Sequence, residues 1–130
     1  MGAAERSLKA VIDTNILIDY LAGIDLAVDE LGLYQEPSIS LITWMEVMVG
    51  ARPAEDGLIR NFLLRFQVVP IDREVAEEAV RIRQDQRLRL PDSIIWATAL
   101  SRGQILVTRN TRDFPADHPG IRVPYKLAGP

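Results

Sequence analysis

The chain predicts an α/β fold in which a mainly parallel sheet carries helices on both faces. Two observations predict it. Short apolar runs alternate along the chain with longer segments whose apolar residues follow helical spacing, the pattern of strand–helix units joined by crossovers. With 48% apolar residues in 130 positions, the chain can also build a substantial core, and the whole length, 1–130, is expected to form a single domain.

Each element follows from local signals. Lys9 to Ile12 reads as a short buried strand, followed by a helix through Ile16, Leu17, Tyr20 and Leu21 that ends near Gly23. A second helix is expected over Leu26 to Leu33. Pro37 to Ser40 reads as a strand leading into a helix, Leu41 to Val49, stopped by Gly50 and Pro53. A helix over about 56–66 and a strand from Val68 to Ile71 come next. Asp72 suits the N-cap of a helix from Arg73 to Arg87, whose apolar positions Val75, Ala79 and Ile82 share one face. Pro91 opens another helix, because proline is tolerated in the first turn. Its body, Ile94 to Leu100, is apolar almost all round and should be buried on most sides. Gly103 suits its C-cap, Ile105 to Val107 is a strand, and Ile121 to Val123 is a last short one.

Composition removes several function classes. There are no cysteines, so disulfides, thiolate metal sites and a cysteine nucleophile are excluded. The single histidine, His118, lies in the turn-like stretch Asp117-His118-Pro119-Gly120 with no companion motif, which argues against a histidine-based zinc site or a Ser-His-Asp hydrolase. The first residues, Met1 to Ser7, are too short and polar for a signal peptide, and no apolar stretch reaches the roughly 18 residues of a membrane span, so a cytoplasmic protein without membrane contact is expected. A net charge of −3 argues against a general nucleic-acid coat. It leaves room for a nuclease, since a bound cation restores positive potential locally.

Four acids stand out by position. Asp13 closes the run Ala10-Val11-Ile12, Glu46 lies within Trp44-Met45-Glu46-Val47-Met48, Asp92 opens the apolar helix, and Asp113 follows Ile105-Leu106-Val107-Thr108-Arg109-Asn110-Thr111-Arg112. In parallel sheets, ligands bind beyond the carboxyl ends of the strands, so one crevice can collect all four. Oxygen ligands without cysteine or histidine select Mg²⁺ or Mn²⁺ over zinc or copper. Without a cation, four crowded carboxylates repel one another. Thr14, Asn15, Thr108 and Asn110 are small polar neighbours able to fix the carboxylate rotamers. Each acid also has a plainer reading: Asp13 and Asp92 as helix-capping or first-turn residues, Glu46 as an exposed helix residue, and Asp113 as a turn cap. Glu46 inside an apolar segment needs a metal, an arginine or an opening to solvent.

At these same residues the chain resembles the PIN-domain ribonucleases, specifically the VapC toxins of prokaryotic toxin–antitoxin pairs. The matching pieces are Val11 to Asn15, Ser40 to Glu46, Leu90 to Ala99 and Val107 to Phe114, in an order that occupies about 9–124. The resemblance implies a three-layer α/β/α sandwich, Mg²⁺-dependent endonucleolytic cleavage of RNA leaving a 5′-phosphate and a 3′-hydroxyl, and Mn²⁺ able to substitute. It implies a homodimer, and a cognate antitoxin whose tail enters the acidic groove. Carried over by position, Asp13 and Asp92 become the principal metal ligands. Glu46 becomes a support acting through water or at a second ion, and Asp113 completes the catalytic quartet. Ser93 and Trp96 depart from the small residues that family members often carry after the third acid, and Trp96 is expected in a core or dimer contact.

The arginines carry two expectations. Arg81, Arg83, Arg87 and Arg89 read as a solvated helix face paired with Glu77, Glu78 and Asp85, whereas Arg109 and Arg112, in the loop carrying Asp113, read as candidates for gripping phosphate. Two other functions compete. An aspartyl-phosphate phosphatase wants a second acid two positions after the nucleophile, where Asn15 stands, and a lysine near the later motifs, where neither Lys9 nor Lys126 falls. A catalytically silent RNA-binding or scaffold module is the non-enzymatic alternative. The intact acids weigh against it, because crowded negative charge only repels RNA.

Overall fold

The computed structural model describes residues 9–127, so the polar amino terminus, expected not to be a signal peptide, lies outside the described residues. Its elements are β1 (Ala10–Ile12), α1 (Thr14–Leu21), α2 (Asp25–Leu31), β2 (Ser38–Ser40), α3 (Leu41–Val49), a 3₁₀ turn (Pro53–Glu55), α4 (Asp56–Leu63), β3 (Gln67–Val69), α5 (Arg73–Gln86), α6 (Leu90–Arg102), β4 (Ile105–Val107) and β5 (Ile121–Arg122). The five strands form one sheet in the order β3-β2-β1-β4-β5, and every neighbouring pair is parallel. The α/β sandwich expected from the sequence is therefore the fold observed.

Strand alternation sorts the core into two layers. Ala10 and Ile12 of β1 and Val107 of β4 face a cluster with Ile16, Leu17, Ala27, Val47 and Phe62 from the first four helices. Val11 and Leu106 face the opposite way, against Val75, Ala79, Ile82, Ile95 and Trp96 of α5 and α6. Both sides of β1 are fully covered, which explains an apolar run without polar alternation.

Element boundaries moved where backbone chemistry demanded it. The third strand ends at Val69 because Pro70 has no N–H to continue the ladder, and it begins at Gln67, whose N–H donates to the Pro37 carbonyl at 2.9 Å. Asp72 caps α5 as expected, accepting from the Val75 N–H at 2.9 Å. That helix stops at Gln86, since Arg87 takes a left-handed backbone at φ 58°, which turns the chain so that Leu88 is buried. Among the described residues no helix is long and apolar enough to cross a membrane.

Topology fixes where a ligand can sit. From β1 the chain proceeds outward through β2 and β3, then returns to place β4 on the other flank of β1. The direction reverses between β1 and β4, and loops leaving these two strands part there to open a crevice. Asp13 and Thr108 are the residues that immediately follow those strands.

Candidate active site

Asp13 lies at the reversal point, 3% exposed, with its N–H donating to the Val107 carbonyl at 2.8 Å. It is also the N-cap of α1, as its plainer reading expects, and that role leaves the carboxylate at the strand end. Three donors hold its carboxylate: the Thr14 N–H on Oδ1 at 2.7 Å, the Thr108 hydroxyl on Oδ2 at 2.7 Å and the Asn15 amide on Oδ2 at 3.1 Å. A carboxylate has about four acceptor positions, so one lone pair on Oδ1 is left over. Burial is the largest influence on this group and, joined by the negative charge of Asp92 and Glu46, pushes its pKa up to about 6 despite the Thr108 and Thr14 bonds.

Asp13, Glu46 and Asp92 line one cleft of about 310 Å³, together with Thr14, Asn15, Ile18, Arg89, Arg109 and Asn110. Asp92 is buried in the first turn of α6. Its pKa is raised, mainly by burial and further by Asp113 and Glu46, against the lowering effect of Arg89. Glu46 is exposed on α3, and its Oε1 accepts from the Thr14 hydroxyl at 2.7 Å, which itself shares a bond with the Thr43 hydroxyl at 3.0 Å. Of the choices open to a glutamate in an apolar segment, this one has the opening to solvent. Asp113 does not line the cleft but lies within electrostatic reach of Asp92; its Oδ2 accepts from the Asn110 amide at 2.9 Å. The four polar neighbours singled out by sequence thus each hold one of the acids.

Two buried acids escaped the sequence reading. Asp19 accepts from two guanidinium nitrogens of Arg109, Nη2 on Oδ1 at 2.9 Å and Nε on Oδ2, together with the Tyr125 hydroxyl at 2.8 Å. Burial would lift the Asp19 pKa, but these bonds outweigh it and hold the group below its ordinary value. Glu30 is built alike, with Arg122 on both oxygens at 2.7 and 2.9 Å and the Tyr34 hydroxyl at 2.7 Å. The signal was available for Asp19, an acid among Leu17, Ile18, Tyr20 and Leu21, just as it was for Glu46. Arg109 is consequently not a free phosphate grip: its fork is spent on Asp19, while its N–H donates to the Asn15 carbonyl oxygen of the side chain at 3.4 Å. Arg81 pairs with Glu78 as expected, whereas Arg89 pairs with Asp92. Trp96 is a core residue, 5% exposed, packed edge-on to Phe114 and to His118, with its ring N–H lacking a partner.

The donor set suits a hard dication. It is all oxygen, and no cation contacts the buried Asp13 carboxylate within the described residues. Among those residues no three acid or histidine side chains form a ready-made cluster. A dication such as Mg²⁺ takes one or two protein carboxylates directly and keeps several waters, so Asp13 and Asp92 would be enough to hold it.

Comparison with known proteins follows the same lines. The family model described as PIN domain matches residues 10–116. The chain is 34% identical over 119 residues to the tRNA(fMet)-specific endonuclease VapC of Shigella flexneri, covering 82% of this chain and 90% of the relative. It is 30% identical over 127 residues to Ribonuclease VapC10 of Mycobacterium tuberculosis, covering 92% and 95%. Among solved structures, a chain of a toxin–antitoxin complex from Klebsiella pneumoniae superposes with a TM-score of 0.86 at 44% identity, over 91% of this chain and 99% of that one. A chain of DNA-bound VapBC from Salmonella typhimurium gives 0.73 at 28%, over 88% and 96%.

Proposed function

The chain belongs to the PIN-domain family, in its VapC-type branch, and we propose that it is a Mg²⁺-dependent endoribonuclease whose activity a cognate antitoxin restrains. One observation carries the reading: a buried carboxylate, Asp13, is held by three neutral donors, bonded by no basic side chain, and shares an open cleft with Asp92 and Glu46.

On this reading Asp13 and Asp92 hold the ion, with Mn²⁺ able to replace Mg²⁺. Thr14, Asn15 and Thr108 lock Asp13 in one rotamer, so little order has to be gained when the cation arrives. When bound, the ion supplies Lewis-acid stabilisation of phosphodiester oxygens and a lowered water pKa. Glu46, reachable from solvent and aimed by the Thr14 hydroxyl, orients water on the open side and can accept a proton at its carboxylate. Asp113, braced by Asn110, adds negative charge beside Asp92 and completes the catalytic quartet.

The partners on this reading are RNA as substrate, an antitoxin and a second copy of the chain, with the whole of 1–130 acting as one cytoplasmic domain. Support for the antitoxin comes from the relatives solved as toxin–antitoxin complexes. The test is cleavage-site mapping on total cellular RNA, wild type against Asp13→Ala, with and without Mg²⁺. Cuts should appear only with wild type and Mg²⁺. Cleavage that survives EDTA or the substitution refutes the assignment.

A further inference from the structure

Two arginines line the acidic cleft among the described residues, and they are committed very differently. Arg109 gives both faces of its fork to Asp19, in a pair whose acid is 6% exposed. Arg89 stands at the N-cap of α6, three residues before Asp92, and reaches that carboxylate only through Nη2 to Oδ2 at 3.4 Å. Its side chain is 79% exposed. A guanidinium has five N–H donors, and here a single one is engaged, near the outer limit of a hydrogen bond.

Taking the nuclease reading as the premise, we propose that Arg89 is the residue of this chain that receives the RNA phosphate, trading Asp92 for a phosphodiester oxygen once a dication sits on the acids. The physical need is plain. A polyanion approaching Asp13, Glu46, Asp92 and Asp113 meets repulsion that one ion only partly cancels, so a further positive group at the rim must meet the backbone. Of the two arginines described in the cleft, Arg89 is the more exposed and the one not fixed by a two-point pair, since Arg109 is held on both oxygens of Asp19. Its exposed, long contact to Asp92 is weakly held. A dication on Asp92 neutralises the charge that held the guanidinium, and a planar fork suits two phosphate oxygens. Arg89 thus serves in turn as a loose partner of the Asp92 carboxylate and as phosphate ligand.

The test measures binding of a short, fluorescein-labelled single-stranded RNA of mixed sequence over a salt series, with Ca²⁺ replacing Mg²⁺ to hold off cleavage. Arg89→Ala should weaken binding roughly 5- to 10-fold and flatten the log–log salt slope by about 0.7, the value for one lost phosphate contact to a single strand. Arg89→Lys should keep the slope while recovering only part of the affinity. Arg81→Ala, which also removes one charge but pairs with Glu78 on α5, should leave both unchanged. Calorimetry with Mn²⁺ alone should show Arg89→Ala binding the ion as tightly as wild type or more tightly, since a competitor for Asp92 is gone. An unchanged slope, or lost Mn²⁺ binding, overturns the proposal while a cleaving wild type keeps the nuclease reading intact. A wild type that neither binds Mn²⁺ nor cuts RNA removes both.

Discussion

Raising the pH of metal-free protein from about 4 to about 7 should weaken the wild-type fold relative to Asp13→Asn, because the Asp13 carboxyl titrates in that window only when folded. Its pKa rises from 3.8 to about 6, chiefly through burial. Between those values the folded chain keeps a proton that the unfolded chain has released. The stabilisation from this group is therefore complete below 3.8 and lost as the pH climbs through about 6. A rise of about two units at about 1.4 kcal/mol each amounts to roughly 3 kcal/mol. Asparagine cannot ionise, so its curve lacks this pH dependence. Replacing an oxygen that accepts from Thr108 and Asn15 only displaces that curve by a constant. Asp19, whose lowered pKa works with the opposite sign, and Asp92 act in both proteins and largely cancel in the difference. The assay is urea unfolding followed by tryptophan fluorescence in EDTA across the pH series, wild type minus variant. Mg²⁺ added at the upper end should restore wild type and leave Asp13→Asn unmoved. Two curves that stay parallel over the whole range would mean that the buried carboxylate carries no such burden, and the case for a cation there would lose its footing.

Other outcomes can be checked alongside. Thr108→Val removes the buried hydroxyl that donates to Asp13 and should weaken Mn²⁺ binding about 10- to 100-fold by calorimetry, with the fold retained. Asp19→Ala strands Arg109 and frees Tyr125, so chemical denaturation should show a loss of about 3 kcal/mol or more. Arg87→Gly relieves a left-handed backbone and should raise stability by about 0.5–1 kcal/mol, after the entropy that glycine adds to the unfolded chain is counted. Trp96→Phe should lose less than about 1.5 kcal/mol, since the deleted ring N–H has no partner, whereas Trp96→Ala should lose about 3–5 kcal/mol from the emptied core.

What could be read from sequence follows from which forces are local. Helices such as α3 and α6 carry their own start and stop signals, in Ser40, Gly50, Pro91 and Gly103, so their limits were legible. The strand before Asp72 was not, because its register depends on Pro37 across the sheet. The acids Asp13 and Asp92 were visible since each adjoins an apolar run, and a parallel sheet gathers strand ends at one edge. Pairing of arginines was hidden. Arg109 reaches Asp19 over 90 positions, and no local pattern distinguishes it from Arg112, which stays exposed. Arg89 was assigned to the acids of α5 when its partner lay three residues onward, in the turn it caps.

The junction of β1 with β4 has a consequence for the timing of assembly. Asp13 leaves the ribosome early, yet the hydroxyl that secures it belongs to a residue 95 positions later. Until β4 is synthesised and slots against the central strand, the first carboxylate has no opposite wall and only its neighbours Thr14 and Asn15 to hold it. Any nascent or prematurely terminated product that stops before that strand therefore lacks the long-range donor to this carboxylate, which arrives only once β4 has joined the sheet.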